Sequence, residues 1–376
     1  MSVSKDTTKS IANSRGVVIS IPRVTFVDVV NFLIPLFIWI VISFSPCRMD
    51  GTGYQAIFYN NTGKNYLHVE VGFYYICKLA HAAGMKYWSF RSLLIGIAMI
   101  IFSIALSRMH VHKTAFWIYY LFYPMLYNLV QVRFFFAISF ALLAVSFLVN
   151  MGEDNKRRSV TWFIIWVIIG TLFHSAVIIT LIYLVPAFLT RRKMYWFIAA
   201  GMVVELFLLF FVNRVGAIIQ NAISVFRSLV TYYNVRINSL DGIQFIGTYI
   251  VFLLIYIYAI KSNEQISQYE YELGVAEEDN HQSIVEKNIA ITNILLVWLS
   301  FLNSTFSRYF QFSILLITTF MLSKKLRNTK SVFFLRIGTL AILMFLGYFF
   351  LRGRIWDAWS ESFLQVHSFS ELSQMY

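Results

Sequence analysis

Residues 127–150 read "YNLVQVRFFFAISFALLAVSFLVN", and this stretch decides the fold class. No charged side chain interrupts residues 134–149, and an apolar helix of about 20 residues crosses the hydrocarbon core of a bilayer. The run is continuous, without the polar and apolar alternation of a barrel strand. At its head stands Arg133, with Gln131 two residues earlier. A guanidinium at bilayer depth costs roughly 3 kcal/mol or more, which makes Arg133 a candidate site residue. The plain alternative is an arginine that snorkels from a helix end to the interface. Choosing between them requires the topology of the whole chain.

The rest of the sequence agrees with that stretch. Of 376 residues, 59% are hydrophobic and 13% charged, and the mean hydropathy is +0.67. Such a chain has too little polar side chain to cover a water-soluble globule. The expected fold is all-α, a single polytopic membrane domain of about 11 transmembrane helices, with a range of about 10–12. The spans fall at 24–45, 88–107, 114–130, 133–150, 160–172, 174–189, 195–212, 245–260, 289–303, 308–322 and 332–351. The less apolar "VEVGFYYICKLAHAAG" reads as an interfacial or re-entrant helix, with a full crossing as the alternative. Cys47 and Cys77 lack any metal-ligand spacing and are too few for a disulfide framework, although they could pair if both face outward.

Lysine and arginine set the orientation. The segments Lys5 to Arg23, "RMHVHK", "NKRR", "TRRK" and "KKLRNTK" and the loop 261–288 all fall on one side if the N-terminus is cytoplasmic. The positive-inside rule then holds throughout. In this reading 1–23 is a cytoplasmic N-terminal segment and 46–87 an outer loop with the interfacial helix. Residues 213–244 form a large outer loop, 261–288 a cytoplasmic loop with the acidic "EYELGVAEEDN", and 352–376 an outer tail. Because "NKRR" and "TRRK" flank the block 159–188, that block must be a hairpin that turns near "GTLFHSA". Its arms of about 13–15 residues rise only roughly 20 Å, short of a core roughly 30 Å thick. The tip, with His174, is therefore expected to stop inside a protein-lined cavity.

On the outer side lie Arg48, Asp50, Glu70, Arg91, Arg133, His174, Arg214, Arg227, Arg236 and Arg308. Arginine in short outer loops opposes the insertion bias, and anion binding is the natural reason to keep it there. Its planar fork donates paired, charge-assisted hydrogen bonds to phosphate. Arg48, Arg91 and Arg214 also read as snorkelling anchors. Arg133 and Arg308 begin apolar spans beside polar residues, in "QVR" and "NSTFSR". His174 is either a titratable site group or an interior histidine bonded to backbone.

At this point the sequence resembles a known family. The elements "RMDGTGYQAIFY" and "HVEVGFYYICKLAHAAG", then "LVQVRFFFAISFALLAVSFL" and "GTLFHSAVIITLIYLVP", then "NSTFSRYFQFSILL", follow one another as in the EpsG-type, Wzy-like bacterial polysaccharide polymerases. The resemblance covers most of the chain. Two departures stand out: Gly53 replaces an aspartate, with Asp50 on the other side of the Gly51–Thr52 pair, and Phe134 follows Arg133 where the family often has glutamine.

The resemblance implies an enzyme of the bacterial cytoplasmic membrane, acting at its outer face. It would transfer a glycan chain from one polyprenyl diphosphate to a sugar hydroxyl of another lipid-linked repeat unit. It implies His174, Arg133 and Glu70 as the catalytic set. Arg308, Arg214, Arg227, Arg236, Gln131, Asp50 and Tyr54 are the candidate substrate-binding residues. Arginines neutralise a departing diphosphate, and a histidine or carboxylate takes the hydroxyl proton. No metal and no cofactor are expected. The expected partners are the lipid-linked donor and acceptor and membrane lipids, with room for a chain-length regulator and a flippase, and no nucleic acid. The rivals are a lipid-oligosaccharide flippase, a membrane acyltransferase acting on glycans and a multi-span sugar-phosphate lipid glycosyltransferase.

Overall fold

The structure, a computed structural model, describes residues 9–12, 18–21, 26–44, 50–59, 70–152, 154–222, 239–272, 281–301, 307–326 and 329–350. A short antiparallel hairpin, β1 (Lys9–Ala12) and β2 (Val18–Ile21), precedes an α-helical body. Its helices are α1 (Phe26–Phe44), α2 (Asp50–Tyr59), α3 (Val71–Ala82), α4 (Tyr87–Arg108), α5 (Lys113–Phe122), α6 (Met125–Val130), α7 (Val132–Val149) and α8 (Lys156–Phe173). After a 3-10 segment come α9 (Arg191–Ala222), α10 (Ser239–Glu272), α11 (His281–Trp298), α12 (Ser307–Met321) and α13 (Lys330–Phe350). Among the described residues four stretches are long and apolar enough to cross a membrane: Tyr87–Arg108, Val132–Val149, Ile243–Gln265 and Lys330–Tyr348. Shorter apolar helices accompany them, as in a multi-pass membrane protein.

The opening stretch forms the centre of the body. α7 is buried nearly all round, packed between α4 and α8. Its all-apolar faces would suit lipid as well as a protein interior, and it is burial by its neighbours that places this helix inside the bundle. Exposed apolar surface lies on other helices, as at Ile100 and Ile104 of α4 and Phe334 and Phe345 of α13.

Three expectations about the spans change. The apolar run 114–130 is not one helix. It breaks where Tyr123 takes an extended conformation before Pro124, as the residue preceding a proline tends to do. The helices α9 and α10 run on into the segment read as the outer loop 213–244, so that residues 223–238 alone of it lie outside the described residues. Likewise α10 and α11 extend into the segment 261–288.

The hairpin around His174 is the third change, and its reason is geometric. α8 begins at Lys156, so its 18 residues rise roughly 27 Å. The return arm is not an α-helix. Ser175–Leu184 and Pro186–Phe188 wind as 3-10 helix, which rises about 2.0 Å per residue. Residues 175–188 thereby rise roughly 28 Å instead of the roughly 21 Å of an α-helix. The tighter winding lets a shorter arm match a longer one. A 3-10 run of ten residues is unusual, and α11 supports it from outside. Asn288 Nδ2 donates to the carbonyls of Pro186 (2.9 Å) and Leu189 (3.0 Å). Tyr183 donates its hydroxyl to Asn293 Oδ1.

The two arms meet through Gly170, where a Cβ would stand 2.9 Å from Val177 Cγ1 and 3.1 Å from the Ala137 carbonyl oxygen. Gly170→Leu should therefore overpack the contact of α7, α8 and the 3-10 arm. We expect a loss of about 1–3 kcal/mol, read as a lower midpoint of thermal unfolding in detergent. An unchanged midpoint would refute the close approach.

The ends of the bundle differ in chemistry. At one end the connections after α4, α7 and α12 are tied together. Asn150 Nδ2 donates to the Arg108 carbonyl (2.7 Å), Lys324 N to the His110 carbonyl (2.8 Å), and Val111 bridges Ser323. "RMHVHK" and "KKLRNTK" thus meet at this end, and "NKRR" joins them through Asn155, whose Nδ2 donates to the Asn150 carbonyl. The opposite end of α7 carries Arg133.

Arg91 belongs to the architecture and not to a substrate site. It is 1% exposed, and its Nε and Nη2 donate to the Ile42 carbonyl at 3.1 and 2.8 Å. Nη2 also donates to the Leu129 carbonyl at 2.9 Å. Ile42 and Leu129 lie in the last turns of α1 and α6, where carbonyls lack helical partners and the dipole favours a cation. One guanidinium thus caps two helix C-termini. Cys77 is buried with a free thiol, and Cys47 lies outside the described residues.

Candidate functional site

Four side chains from four separate parts of the sequence converge at the Arg133 end of the bundle. Glu70 immediately precedes α3, Arg133 lies in the first turn of α7, His174 ends α8, and Arg308 opens α12. Each occupies a helix end, where the chain leaves the bundle and polar groups can gather without interrupting an apolar helix. The fold, not the sequence spacing, brings them together.

Arg133 is held on two sides. Its Nη1 donates to Glu70 Oε2 at 2.6 Å, and its guanidinium lies 5.0 Å from the Tyr54 ring centre and 5.5 Å from that of Phe73. Tyr54 is buried in an edge contact with Phe73. Its role here is a platform under a flat cation, a geometry that guanidinium satisfies better than ammonium. The Arg133 and Glu70 side chains each keep 17% exposure, so the pair is reachable from outside.

Glu70 has a second set of donors. Its Oε1 accepts from the Ser175 backbone N–H (3.1 Å) and from Ser175 Oγ (3.4 Å). His174 Nδ1 stands 4.0 Å from the same oxygen, too far for a hydrogen bond. Ser175 opens the 3-10 arm, so its N–H is one of the donors that a helix start leaves without a helical partner.

His174 is 5% exposed and meets a donor at each nitrogen. Nδ1 faces the Ala176 N–H at 3.2 Å, and Nε2 faces Arg308 Nη1 at 3.0 Å. A neutral imidazole has one accepting nitrogen. It can accept from only one of the two at a time, so the tautomer decides whether Ala176 or Arg308 is served. Phe134 stands edge-on to the ring at 5.3 Å between centroids. Phe134 thus packs against one side of the imidazole.

Arg308 is the least compensated charge. Glu70 neutralises Arg133, whereas Arg308 faces an imidazole, and its Nε is buried without a hydrogen-bond partner among the described residues. Among the described residues the cluster holds two guanidiniums and one carboxylate, which pairs with Arg133, and so keeps an excess positive charge. A partly buried cation so arranged is poised for an anion.

The other candidates do not join the cluster in the described structure. Gln131 joins α6 to α7, and its buried Oε1 has no partner among the described residues. Asp50 and Arg214 lie in α2 and α9, with side chains outside the described residues. Arg48, Arg227 and Arg236 lie wholly outside them. Among the described residues no three His, Cys, Asp or Glu side chains group to hold a metal ion. Ser175 belongs to the "GTLFHSAVIITLIYLVP" element that carries the resemblance but was not among the candidate residues, although a serine directly after His174 and before an apolar helix is a helix-start signal. It also passed over Phe73, which nothing in the sequence distinguishes from other buried aromatics.

No curated protein and no solved structure matches the chain. The EpsG family matches it over residues 29–361, a range that contains α2, all four converging residues and α13. The match covers most of the chain, and the chain belongs to the EpsG family.

Proposed function

We propose that the chain is a polysaccharide polymerase that transfers a glycan chain from polyprenyl diphosphate to a lipid-linked repeat unit at the outer face of the bacterial cytoplasmic membrane. Membership of the EpsG family supports a role in polysaccharide biosynthesis. The observation that carries the finer reading is the pair Arg133 and Arg308, which flank one carboxylate and one imidazole at a single bundle end. In the proposed topology the chain crosses the membrane about 11 times with its N-terminus inside. The joined basic connections "RMHVHK", "NKRR" and "KKLRNTK" support it, because they lie at the end opposite the arginine cluster.

The chemistry follows from charge. The bond between the anomeric carbon and the diphosphate oxygen breaks, and a bond from the acceptor hydroxyl oxygen to that carbon forms. Negative charge grows on the departing polyprenyl diphosphate, where Arg133 and Arg308 stabilise it without metal or cofactor. The hydroxyl proton goes to a base. Glu70 suits this role better than His174, since its carboxylate is partly exposed whereas the imidazole is buried with donors at both nitrogens. His174 orients Arg308.

The test is polymerisation by the reconstituted protein of a purified polyprenyl-diphosphate repeat unit with EDTA present. A ladder of products is expected. If no ladder forms with or without divalent metal, and the lipid-linked unit is instead moved across the bilayer, the chain is a transporter and this reading fails.

A further inference from the structure

We propose that Ser175 is a phosphate-binding residue and that Glu70 occupies its seat in the resting protein. This rests on the lipid-diphosphate reading above and adds a seat and an occupant to it. The carboxylate of Glu70 is held as a phosphate would be held: one oxygen on the Arg133 guanidinium at 2.6 Å, the other on the Ser175 backbone N–H at 3.1 Å and on Ser175 Oγ at 3.4 Å. A cationic fork, the first N–H of a ten-residue 3-10 helix and a hydroxyl together form an anion cradle. Ser175 is exposed, so the cradle is reachable. His174 borders it, with Nδ1 4.0 Å from the seated oxygen, and holds on its Nε2 side Arg308, whose Nε has no hydrogen-bond partner among the described residues.

A diphosphate brings at least two negative charges to this place, and it cannot share the cradle with an ionised Glu70. Arg133 can turn from carboxylate to phosphate while it stays on the Tyr54 and Phe73 rings. Ser175 then donates its N–H and hydroxyl to a phosphate oxygen. The displaced carboxylate remains near the reacting anomeric carbon, where it can take the proton of the acceptor hydroxyl as the bond to that carbon forms. Glu70 thus competes with the donor for the empty site and serves the acceptor in the filled one. Occupation of the seat by the chain's own carboxylate keeps Arg133 compensated between turnovers.

Removing the Glu70 charge must then raise affinity for the diphosphate, and removing the Ser175 donors must lower it. The experiment titrates undecaprenyl diphosphate into full-length protein in nanodiscs, comparing wild type with Glu70→Gln, Ser175→Ala and Ser175→Pro. Proline removes the N–H at a first helical position, where proline is tolerated, and it follows His174, whose backbone is already extended. Glu70→Gln is expected to bind about tenfold tighter, because a like charge beside the phosphate is gone. Ser175→Pro is expected to bind about tenfold weaker, with Ser175→Ala between it and wild type. Glu70→Gln binding equal to or weaker than wild type would overturn the proposal and leave the polymerase reading intact. Full affinity in the two serine variants would likewise remove Ser175 from the seat. Failure of folded wild type and folded Glu70→Gln alike to bind undecaprenyl diphosphate would overturn the polymerase reading and this proposal with it.

Discussion

Arg308→Ala is expected to slow polymerisation by about 10²–10³-fold, the effect of removing one preorganised donor from a developing oxyanion. Arg308→Lys should recover little of it. The side chain begins α12 and reaches His174 with a single nitrogen, Nη1, at 3.0 Å. The rest of the fork, including the buried Nε, is uncommitted among the described residues. Paired donation to two phosphate oxygens needs that fork, and an ammonium supplies the charge without the geometry. Structural loss does not explain such an effect, because the guanidinium holds no helix end in the way that Arg91 holds Ile42 and Leu129. The check is the initial rate of ladder formation at saturating lipid-linked substrate, with matched amounts of folded protein. Arg308→Lys within about twofold of wild type would mean that charge alone suffices, and the diphosphate contact proposed here would be wrong.

The contrast between Arg91 and Arg308 marks how far the sequence can be read. Both stand at the start of an apolar helix, and both invite the same two readings. What separates them is tertiary: Arg91 meets the C-terminal carbonyls of two other helices, whereas Arg308 meets an imidazole. Sequence spacing carries no trace of either partner. The apolar runs were legible as helices because an apolar run of about 20 residues suits a helix in hydrocarbon: eight of the eleven expected stretches fall on a single described helix, and 289–303 begins on α11 and continues into the 3-10 helix Leu299–Phe301. The run through Pro124 misled because its apolar character continues across a backbone break. The winding of residues 175–188 was not legible either. "SAVIITLIYLVP" is rich in β-branched residues, which weaken α-helix, but the choice of 3-10 winding answers a length requirement set by α8 and by the asparagines of α11. The site was legible in part. Arg133, His174 and Arg308 stood out as polar residues at the ends of apolar runs, and Glu70 entered through the family resemblance, yet their meeting depends on long-range packing.

His174 offers the sharpest separation of folding from chemistry. Its Nδ1 faces the Ala176 N–H as an N-cap acceptor would, while its Nε2 engages Arg308. Asparagine is among the best N-cap residues, and its short side chain can reach Ala176 but not Arg308. His174→Asn should therefore keep the start of the 3-10 arm and lose the orientation of Arg308. We expect normal thermal unfolding in detergent and polymerisation slowed about 10²-fold. His174→Ala should show the same kinetic loss together with about 0.5–2 kcal/mol of lost stability, the usual cost of an absent cap. The pair of variants matters more than either alone. If His174→Asn polymerises like wild type, the imidazole is only a cap and Arg308 needs no orienting partner. If instead both variants unfold alike, the cap is worth nothing and the ring holds the helix ends together through Arg308. The expected outcome follows from the double demand on the ring: one accepting nitrogen cannot serve both Ala176 and Arg308, and a diphosphate that draws Arg308 away would leave Nδ1 to the cap and Nε2–H to donate to the phosphate.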